Sequence, residues 1–197
     1  NPTSYSHLLR VVGSELCLRE SGRADPYYGG LPGSLKGHKF SLFEGGIRVP
    51  GIFCWPDGIP AGQVIGEPCA AMDVFPTLLK LAGGKPEEYE LDGKDILPVL
   101  TGGAPTPHGE LYWEMERQTA VRQGDYKLVL DGQLVEGEPP QASVFLSDLS
   151  VDPGETTNLA EQMPELAAPL REKALGWRAG IEENWNTKFA DAYKSTT

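Results

Sequence analysis

The chain has 197 residues, of which 40% are hydrophobic and 23% are charged, with a formal net charge of −11 and a pI near 4.7. This length fits one large domain or parts of two, and the apolar content is sufficient for a packed core. The acidic balance argues against nucleic acid and anionic membrane as partners, because both select basic surfaces. No stretch approaches the roughly 20 apolar residues of a membrane-spanning helix.

Three cysteines, Cys17, Cys54 and Cys69, form neither a zinc-binding spacing nor an even-numbered disulfide framework. Cys54 lies within an apolar run, which favours a small core residue. The first residues lack an initiator methionine and the charged and apolar regions of a signal peptide. We therefore expect an internal piece of a longer protein or a processed chain. The sequence leaves its localisation unknown.

A glycine-bounded basic loop at residues 37–46 carries Lys39 and ends in a Gly-Gly pair. An apolar run from Ile47 to Trp55 follows, and its lack of alternation predicts a short strand buried on both faces. Glycine-rich loops can bend closely around an anion, and loops at the ends of buried strands often bind ligands in α/β proteins. Lys39 is the cation best placed for that role, and the alternative is an ordinary solvated lysine.

An amphipathic helix packed on a sheet is predicted for residues 72–83. Asp73 is the expected N-cap, Pro76 falls in the first turn, and Gly83 supplies the stop. Apolar residues recur at helical spacing on the face expected to be buried: Phe75, Leu78, Leu79 and Ala82. A short apolar patch follows at residues 96–100.

Two prolines, Pro105 and Pro107, mark the best domain boundary, which divides the chain into residues 1–105 and 106–197. Beyond it, residues 111–115 favour a strand, and residues 119–130 predict a hairpin whose two-residue turn is Gly124-Asp125. Within the hairpin, Arg122 and Lys127 should form a polar face opposite Val121 and Leu128, as in a half-buried antiparallel sheet. Residues 144–146 predict the next strand.

A long helix is predicted from about Pro164 to Trp185, because apolar residues recur three or four positions apart and share one face. Pro169 interrupts this pattern, so we expect a kink or two separate pieces. Just before it, Asn158 to Glu161 is similar to a capping box. The aromatic residues of the stripe are interpreted as core against the sheet rather than as a cofactor site.

Several ordered motifs resemble the second half of the sulfatase family, from about Tyr27 to Trp177. The most specific is Gly-x-Lys followed by Glu-Gly-Gly-Ile-Arg-Val-Pro and Trp-Pro within residues 37–56. Residues 72–83, 92–102, 120–128 and 149–159 resemble four further family segments in the family's order. The resemblance implies an α+β fragment of an α/β family. It would comprise a remnant of the large sulfatase sheet and a C-terminal antiparallel sheet of about four strands packed by a long helix.

Sulfatases hydrolyse sulfate esters with a formylglycine, made from the cysteine of Cys-x-Pro-x-Arg, and with a calcium ion held by Asp and Asn side chains. By resemblance, Lys39 falls at the family's sulfate-contacting lysine, and the expected substrate of the full-length enzyme is a sulfate ester. His38 occupies a variable position, and a surface histidine is the default expectation. Family resemblance alone would suggest a secreted or periplasmic protein.

The catalytic parts of that family are missing from this sequence. None of the three cysteines begins Cys-x-Pro-x-Arg, and no Asp-Asn-Gly metal motif precedes the glycine-rich loop. We therefore predict a C-terminal sulfatase fragment with no catalytic residue and no metal ligand, inactive alone. Calcium and formylglycine are expected only in the full-length family enzyme.

Two alternatives remain open. One is a non-catalytic binding or interaction module derived from the same fold. The other is a related phosphoesterase of the alkaline phosphatase superfamily, which ranks low because such enzymes need several Asp and His ligands and only His7, His38 and His108 are present. A strand from a truncated sheet needs cover, so homo-oligomerisation is a further expectation.

Overall fold

The computed structural model describes residues 10–13 and 33–189. These residues fall into two compact units, one formed by residues 10–13 with 49–109 and the other by residues 33–48 with 110–189. Cys17 lies outside the described residues. None of the described helices is long and apolar enough to span a membrane.

The first unit contains two short strands and two short helices. Strand β1 (Arg10–Gly13) pairs antiparallel with β2 (Gly51–Cys54), and Gly13 lies opposite Gly51. Helices α2 (Val74–Leu81) and α3 (Leu97–Gly102) follow, and a single helical turn, α1 (Glu44–Ile47), precedes β2 in the chain. The core of this unit is small: Ile96, Val99 and Leu100 are buried, with Phe53 and Ile59 packed against them.

The second unit is an antiparallel sheet with a long helix packed on it. Its four strands are adjacent in chain order: β3 (Leu111–Met115), β4 (Gln118–Gln123), β5 (Tyr126–Leu130) and β6 (Val144–Asp148). Gln123 pairs with Tyr126, which confirms the predicted two-residue hairpin turn. Gly124 in that turn has φ +58°, the backbone region that glycine adopts readily. The α+β architecture predicted from the sequence is confirmed.

Helix α4 (Pro164–Asn184) covers one face of this sheet. Its Ala167, Leu170 and Ala174 pack with the buried side chains of the strands, Val121, Leu128, Leu130 and Leu146. The helix is continuous through Pro169, so the prediction of two separate pieces is wrong. The apolar stripe is core as expected through Trp177, whose ring stacks on Tyr112 with centroids 5.1 Å apart, but Trp185 is exposed.

The predicted strand from Ile47 to Trp55 is wrong in extent and in burial. The four-residue turn α1 (Glu44–Ile47) uses the first of these residues, and β2 begins only at Gly51, after Pro50. Ile52 is 58% exposed and Cys54 is exposed, so Cys54 is not a core residue. The physical reason is that successive side chains of a strand point to opposite faces. Phe53 packs on the small core of the unit, whereas its neighbours Ile52 and Cys54 are exposed.

Two smaller predictions also need correction. Helix α2 forms and stops at Gly83, which has φ +83°, but it buries Pro76 and Thr77 while Phe75 and Leu78 are exposed. The predicted capping box at Asn158 does not start a helix. Instead its side-chain amide bonds to the backbone of β6, donating to Val144 O at 3.0 Å and accepting from Leu146 N at 3.0 Å.

Candidate functional site

The loop that carries Lys39, residues 36–48 of the second unit, is folded back on itself by main-chain hydrogen bonds. The Gly45 N–H donates to Lys36 O at 2.7 Å, and the Ser41 N–H donates to His38 O at 2.8 Å. The Gly46 N–H donates to Phe43 O at 2.8 Å in the same turn. We call this segment the Lys39 loop.

The two consecutive glycines of the Lys39 loop are required by close backbone packing. A Cβ added at Gly46 would lie 2.0 Å from Ser41 O, and one at Gly45 would lie 2.3 Å from Gly37 O. Both contacts are with main-chain atoms, which cannot swing aside as a side chain would. Glycine at these positions therefore allows the loop to close this tightly.

Gln118 of β4 holds the middle of the loop through its side-chain amide. Its Nε2 donates to Phe40 O at 2.8 Å, and its Oε1 accepts from Leu42 N at 3.3 Å and from Gln133 N at 3.0 Å. Ser41 Oγ also donates to Gln133 O at 2.6 Å. Gln118 is buried, so these bonds replace water for backbone groups that would otherwise lack partners.

A buried charged cluster connects the loop to the sheet and consists of Glu44 of the loop, Lys127 of β5 and Glu155. Lys127 Nζ lies 2.8 Å from Glu44 Oε1 and 3.2 Å from Glu155 Oε1. The side chains of Lys127 and Glu155 have no exposed surface, and that of Glu44 is 4% exposed. Glu155 Oε2 also accepts a hydrogen bond from the Glu44 N–H.

The prediction that Lys127 belongs to a solvated polar face is wrong. Alternation along β5 is correct, because Lys127 and Leu128 point to opposite faces, but the Lys39 loop covers the Lys127 face with Leu42 and Phe43. Burial raises the pKa of Glu155 despite the opposing effect of Lys127. The sequence gives no signal for this pairing of one lysine with two glutamates, because the three residues are 28 or more positions apart.

Lys36 is bound within the protein. Its Nζ donates to Glu155 O at 3.2 Å and lies 3.9 Å from the Phe145 ring centroid and 4.7 Å from that of Phe43. Both distances are in the range of cation–π contacts. Burial lowers the pKa of Lys36, against the opposing effects of Glu155 and Asp152.

Lys39 itself is exposed at the outer edge of the loop, and its Nζ lies 5.0 Å from the Phe40 ring centroid. The expectation of a surface histidine at position 38 is wrong, because His38 is 7% exposed. Its Nδ1 lies 2.9 Å from Lys39 O, and a carbonyl only accepts, so Nδ1 carries the donated proton. His38 thereby fixes the main chain at the lysine.

The described residues contain no group of three or more His, Cys, Asp or Glu side chains arranged to bind a metal ion. The buried carboxylates already bind other groups: Glu44 and Glu155 bind Lys127, and Asp73 binds backbone N–H groups. These residues therefore do not fit the calcium site that the family resemblance implies.

A second buried polar cluster, which the sequence did not reveal, lies in the first unit around Asp73. Its Oδ1 accepts from Lys94 N and lies 2.8 Å from His108 Nε2, and its Oδ2 accepts from Ala70 N at 2.7 Å. Burial raises the pKa of nearby Cys69 to about 11, with smaller contributions from Asp73 and Glu67. Asp73 thereby links the segments that carry Ala70, Lys94 and His108.

Comparison with protein families decides the assignment. The family model for N-sulphoglucosamine sulphohydrolase, C-terminal, matches residues 37–178. The chain belongs to this sulfatase family, as a C-terminal portion. Bovine arylsulfatase A is 35% identical over 164 residues, covering 71% of this chain and 31% of that protein. Human steryl-sulfatase is 54% identical over 76 residues, covering 38% of this chain and 13% of that protein.

Two solved structures, one of them a sulfatase, share this fold. The crystal structure of the PsFucS1 sulfatase from Pseudoalteromonas sp. has a TM-score of 0.66 and 26% identity, covering 84% of this chain and 36% of that one. The structure of Ps i-CgsB also has a TM-score of 0.66, at 24% identity, and covers 95% of this chain and 42% of that one. The chain thus spans less than half the length of these relatives.

Proposed function

We propose that this chain is the part of a sulfatase that supplies one sulfate-contacting cation, Lys39, to the hydrolysis of a sulfate ester. The nucleophile and the metal ligands would come from polypeptide outside the present sequence. On this proposal the chain has no turnover alone. We also propose that residues 1–105 belong to the catalytic domain of the longer enzyme and residues 106–197 to its C-terminal subdomain.

The observation that supports a role for Lys39 is that a fixed main chain carries an exposed lysine residue. Gln118, His38 and the glycine contacts hold the backbone on both sides of the residue. Lys36, the other lysine of the segment, is bound to Glu155 and two aromatic rings. A cation on a fixed support can stabilise charge on sulfate oxygens without reorganising during the reaction.

The ester class of the substrate follows from the family, whereas the rest of the substrate stays open. Among the relatives are a steryl-sulfatase, an arylsulfatase and an N-acetylgalactosamine-6-sulfatase, whose names specify different alcohols. We therefore propose a sulfate ester without naming the group that carries it.

Inactivity alone is tested by incubating the purified chain with calcium and a chromogenic aryl sulfate. We expect no release of the aryl alcohol above the rate in buffer. Measurable turnover that follows the chain through purification would refute the proposal that the nucleophile and the metal ligands lie outside this sequence.

The role of Lys39 is tested by joining the chain to a sulfatase N-terminal portion that contains Cys-x-Pro-x-Arg. Lys39→Ala should lower kcat/KM by about 100-fold, as loss of one donor to a transition-state oxyanion does, and leave the melting temperature unchanged. Lys85→Ala is the matched control, because it removes an exposed lysine of the same charge. Full activity in Lys39→Ala would contradict the assignment. A folded but inactive joined protein would favour the non-catalytic binding module.

We also propose that the chain associates with itself through the uncovered side of β2. Ile52 is 58% exposed and Val49 is 40% exposed, and uncovered apolar strands tend to associate. Sedimentation velocity on the isolated chain should show a concentration-dependent dimer or larger species, which Ile52→Lys should shift towards monomer. A monodisperse monomer at all concentrations would contradict this proposal.

A further inference from the structure

We propose that the turn carrying Glu155, residues 152–157, is a positioning element that fixes the Lys39 loop through the buried Glu44–Lys127–Glu155 cluster. This inference rests on the proposed function of Lys39. It assigns roles to residues outside the loop, since Lys127 lies on β5 and Glu155 lies in the turn after β6. In this role Glu155 and Lys127 would act through Lys39 and not touch the substrate.

The first argument is that the turn contacts two groups of the loop and also the chain just before the loop. The Glu155 side chain accepts from the Glu44 N–H, and the Glu155 main-chain oxygen accepts from Lys36 Nζ. A Cβ at Gly154 would lie 2.8 Å from Ser34 O, so the two segments pack directly against each other. The turn therefore holds the loop at Lys36 and at Glu44.

The second argument is that the backbone at Glu155 favours a different residue type. Glu155 has φ +51°, a left-handed conformation that glycine adopts readily and that a long side chain adopts at a cost. Local strain of this kind persists when the surrounding contacts depend on it. Here the contacts are those of the Glu155 carboxylate, which a glycine could not make.

The third argument is the match between charge and donors inside the cluster. Glu155 Oε1 accepts from Lys127 Nζ and lies 3.4 Å from Ser147 Oγ, while Oε2 accepts from the Glu44 N–H. Both carboxylate oxygens are thus used. Glutamine has the same shape but only one side-chain oxygen. Glu155→Gln must therefore remove the acceptor that residue 155 offers either to Lys127 and Ser147 or to the Glu44 N–H.

The structural part of the inference is tested by amide hydrogen exchange on the chain alone. Glu155→Gln should speed exchange at Glu44, Gly45 and Gly46 by about tenfold or more, while the amides of the β4–β5 ladder keep their protection. Glu110→Gln is the matched control, because it removes a carboxylate that precedes β3 in the same unit and pairs with Lys173 of α4 instead of with the loop. Unchanged loop exchange in Glu155→Gln would overturn the inference. If that variant does not fold, Glu44→Gln gives the same test from the loop side.

The functional part is tested in the joined enzyme with a double-mutant cycle. Glu155→Gln should lower kcat/KM by about 10- to 100-fold, since small misplacements of a catalytic group cost that much. In a Lys39→Ala background the same substitution should cost nothing further, because its effect passes through Lys39. Equal losses in both backgrounds would overturn the positioning role. If Lys39→Ala is fully active, the proposed function fails instead, whatever the exchange data show for the loop.

Discussion

Replacing Lys127 with methionine should destabilise the second unit strongly, although the two side chains have similar length and apolar stems. Lys127 has no exposed surface, and its ammonium lies within 3.2 Å of two carboxylates that are themselves buried. The variant would leave Glu44 and Glu155 facing each other without a cation. Both carboxylates would then carry the cost of burial with less compensation.

Removing one partner from a buried ion pair typically costs about 3–5 kcal/mol. Protonation of Glu155 would limit this cost, since burial already raises its pKa, so we expect the lower part of that range near neutral pH. For a chain of this length each kcal/mol corresponds to roughly 2–4 °C in Tm. The expected loss in Tm is therefore about 6–12 °C.

Urea unfolding monitored by circular dichroism, together with a thermal melt, measures this loss. The informative control is the triple variant Glu44→Gln, Lys127→Met, Glu155→Gln, which removes all three charges and should recover much of the lost stability. If Lys127→Met costs less than about 1 kcal/mol, or if the triple variant is no better than the single one, the cluster is not a buried ion network and the reasoning fails.

Three further predictions address other features. Gly46→Ala should destabilise the chain by at least 1–3 kcal/mol, a typical cost of overpacking, because its Cβ would meet main-chain oxygens; Gly180→Ala, with open space around it in α4, should be neutral or stabilising in the same melt. Asp73→Ala should cost about 2–5 kcal/mol in urea unfolding, because the part-buried N–H groups of Ala70 and Lys94 and the buried His108 side chain lose their acceptor. Lys80→Ala, which breaks an exposed pair, should cost under about 1 kcal/mol. Glu155 and Glu110 should contribute opposite pH slopes to stability. Burial raises the pKa of Glu155, so its contribution to the free energy of unfolding falls as pH rises from 4.5 through the folded pKa. The hydrogen bond from Lys173 lowers the pKa of Glu110, so its contribution falls as pH drops from 4.5 through the folded pKa. Urea unfolding at pH values above and below 4.5 should therefore show that Glu155→Gln removes a loss of stability towards higher pH, whereas Glu110→Gln removes a loss towards lower pH. The same change of pH dependence in both variants would contradict the assignment.

The second unit was largely predictable because its information is local. Apolar alternation on either side of Gly124-Asp125 specifies both strands and the turn between them, so the hairpin follows from about twelve consecutive residues. The stripe around Leu170 and Ala174 likewise identifies the buried face of α4. Pro169 misled the prediction because the surrounding helix tolerates the loss of one hydrogen bond when its other face is packed on a sheet.

The first unit was harder to predict because its apolar residues do not report which surfaces are covered. Residues 47–55 have the composition of a doubly buried strand, yet Ile52 and Cys54 are exposed. Likewise, helical spacing selected Phe75 and Leu78 as the buried face of α2, whereas Pro76 and Thr77 are buried. The amino-acid composition of a segment reflects the contacts that it makes in the whole folded protein. This chain spans less than half the length of its relatives, so composition alone does not show which surfaces are covered within it.

The candidate site shows the same division between local and distant information. Lys39 stands out in sequence because its motif is contiguous, whereas the cluster that supports it joins residues 28 and 83 positions apart along the chain. In a chain of net charge −11, the overall electrostatic field does not attract an anionic substrate. The ability of Lys39 to bind a sulfate group therefore depends on how precisely its backbone is held. Burying two carboxylates around Lys127 is costly and gives little net stability by itself. The cluster is explained if its role is to fix the geometry of the Lys39 loop. Amide hydrogen exchange in the loop, more than Tm, therefore tells whether the cluster serves the loop or only the stability of the fold.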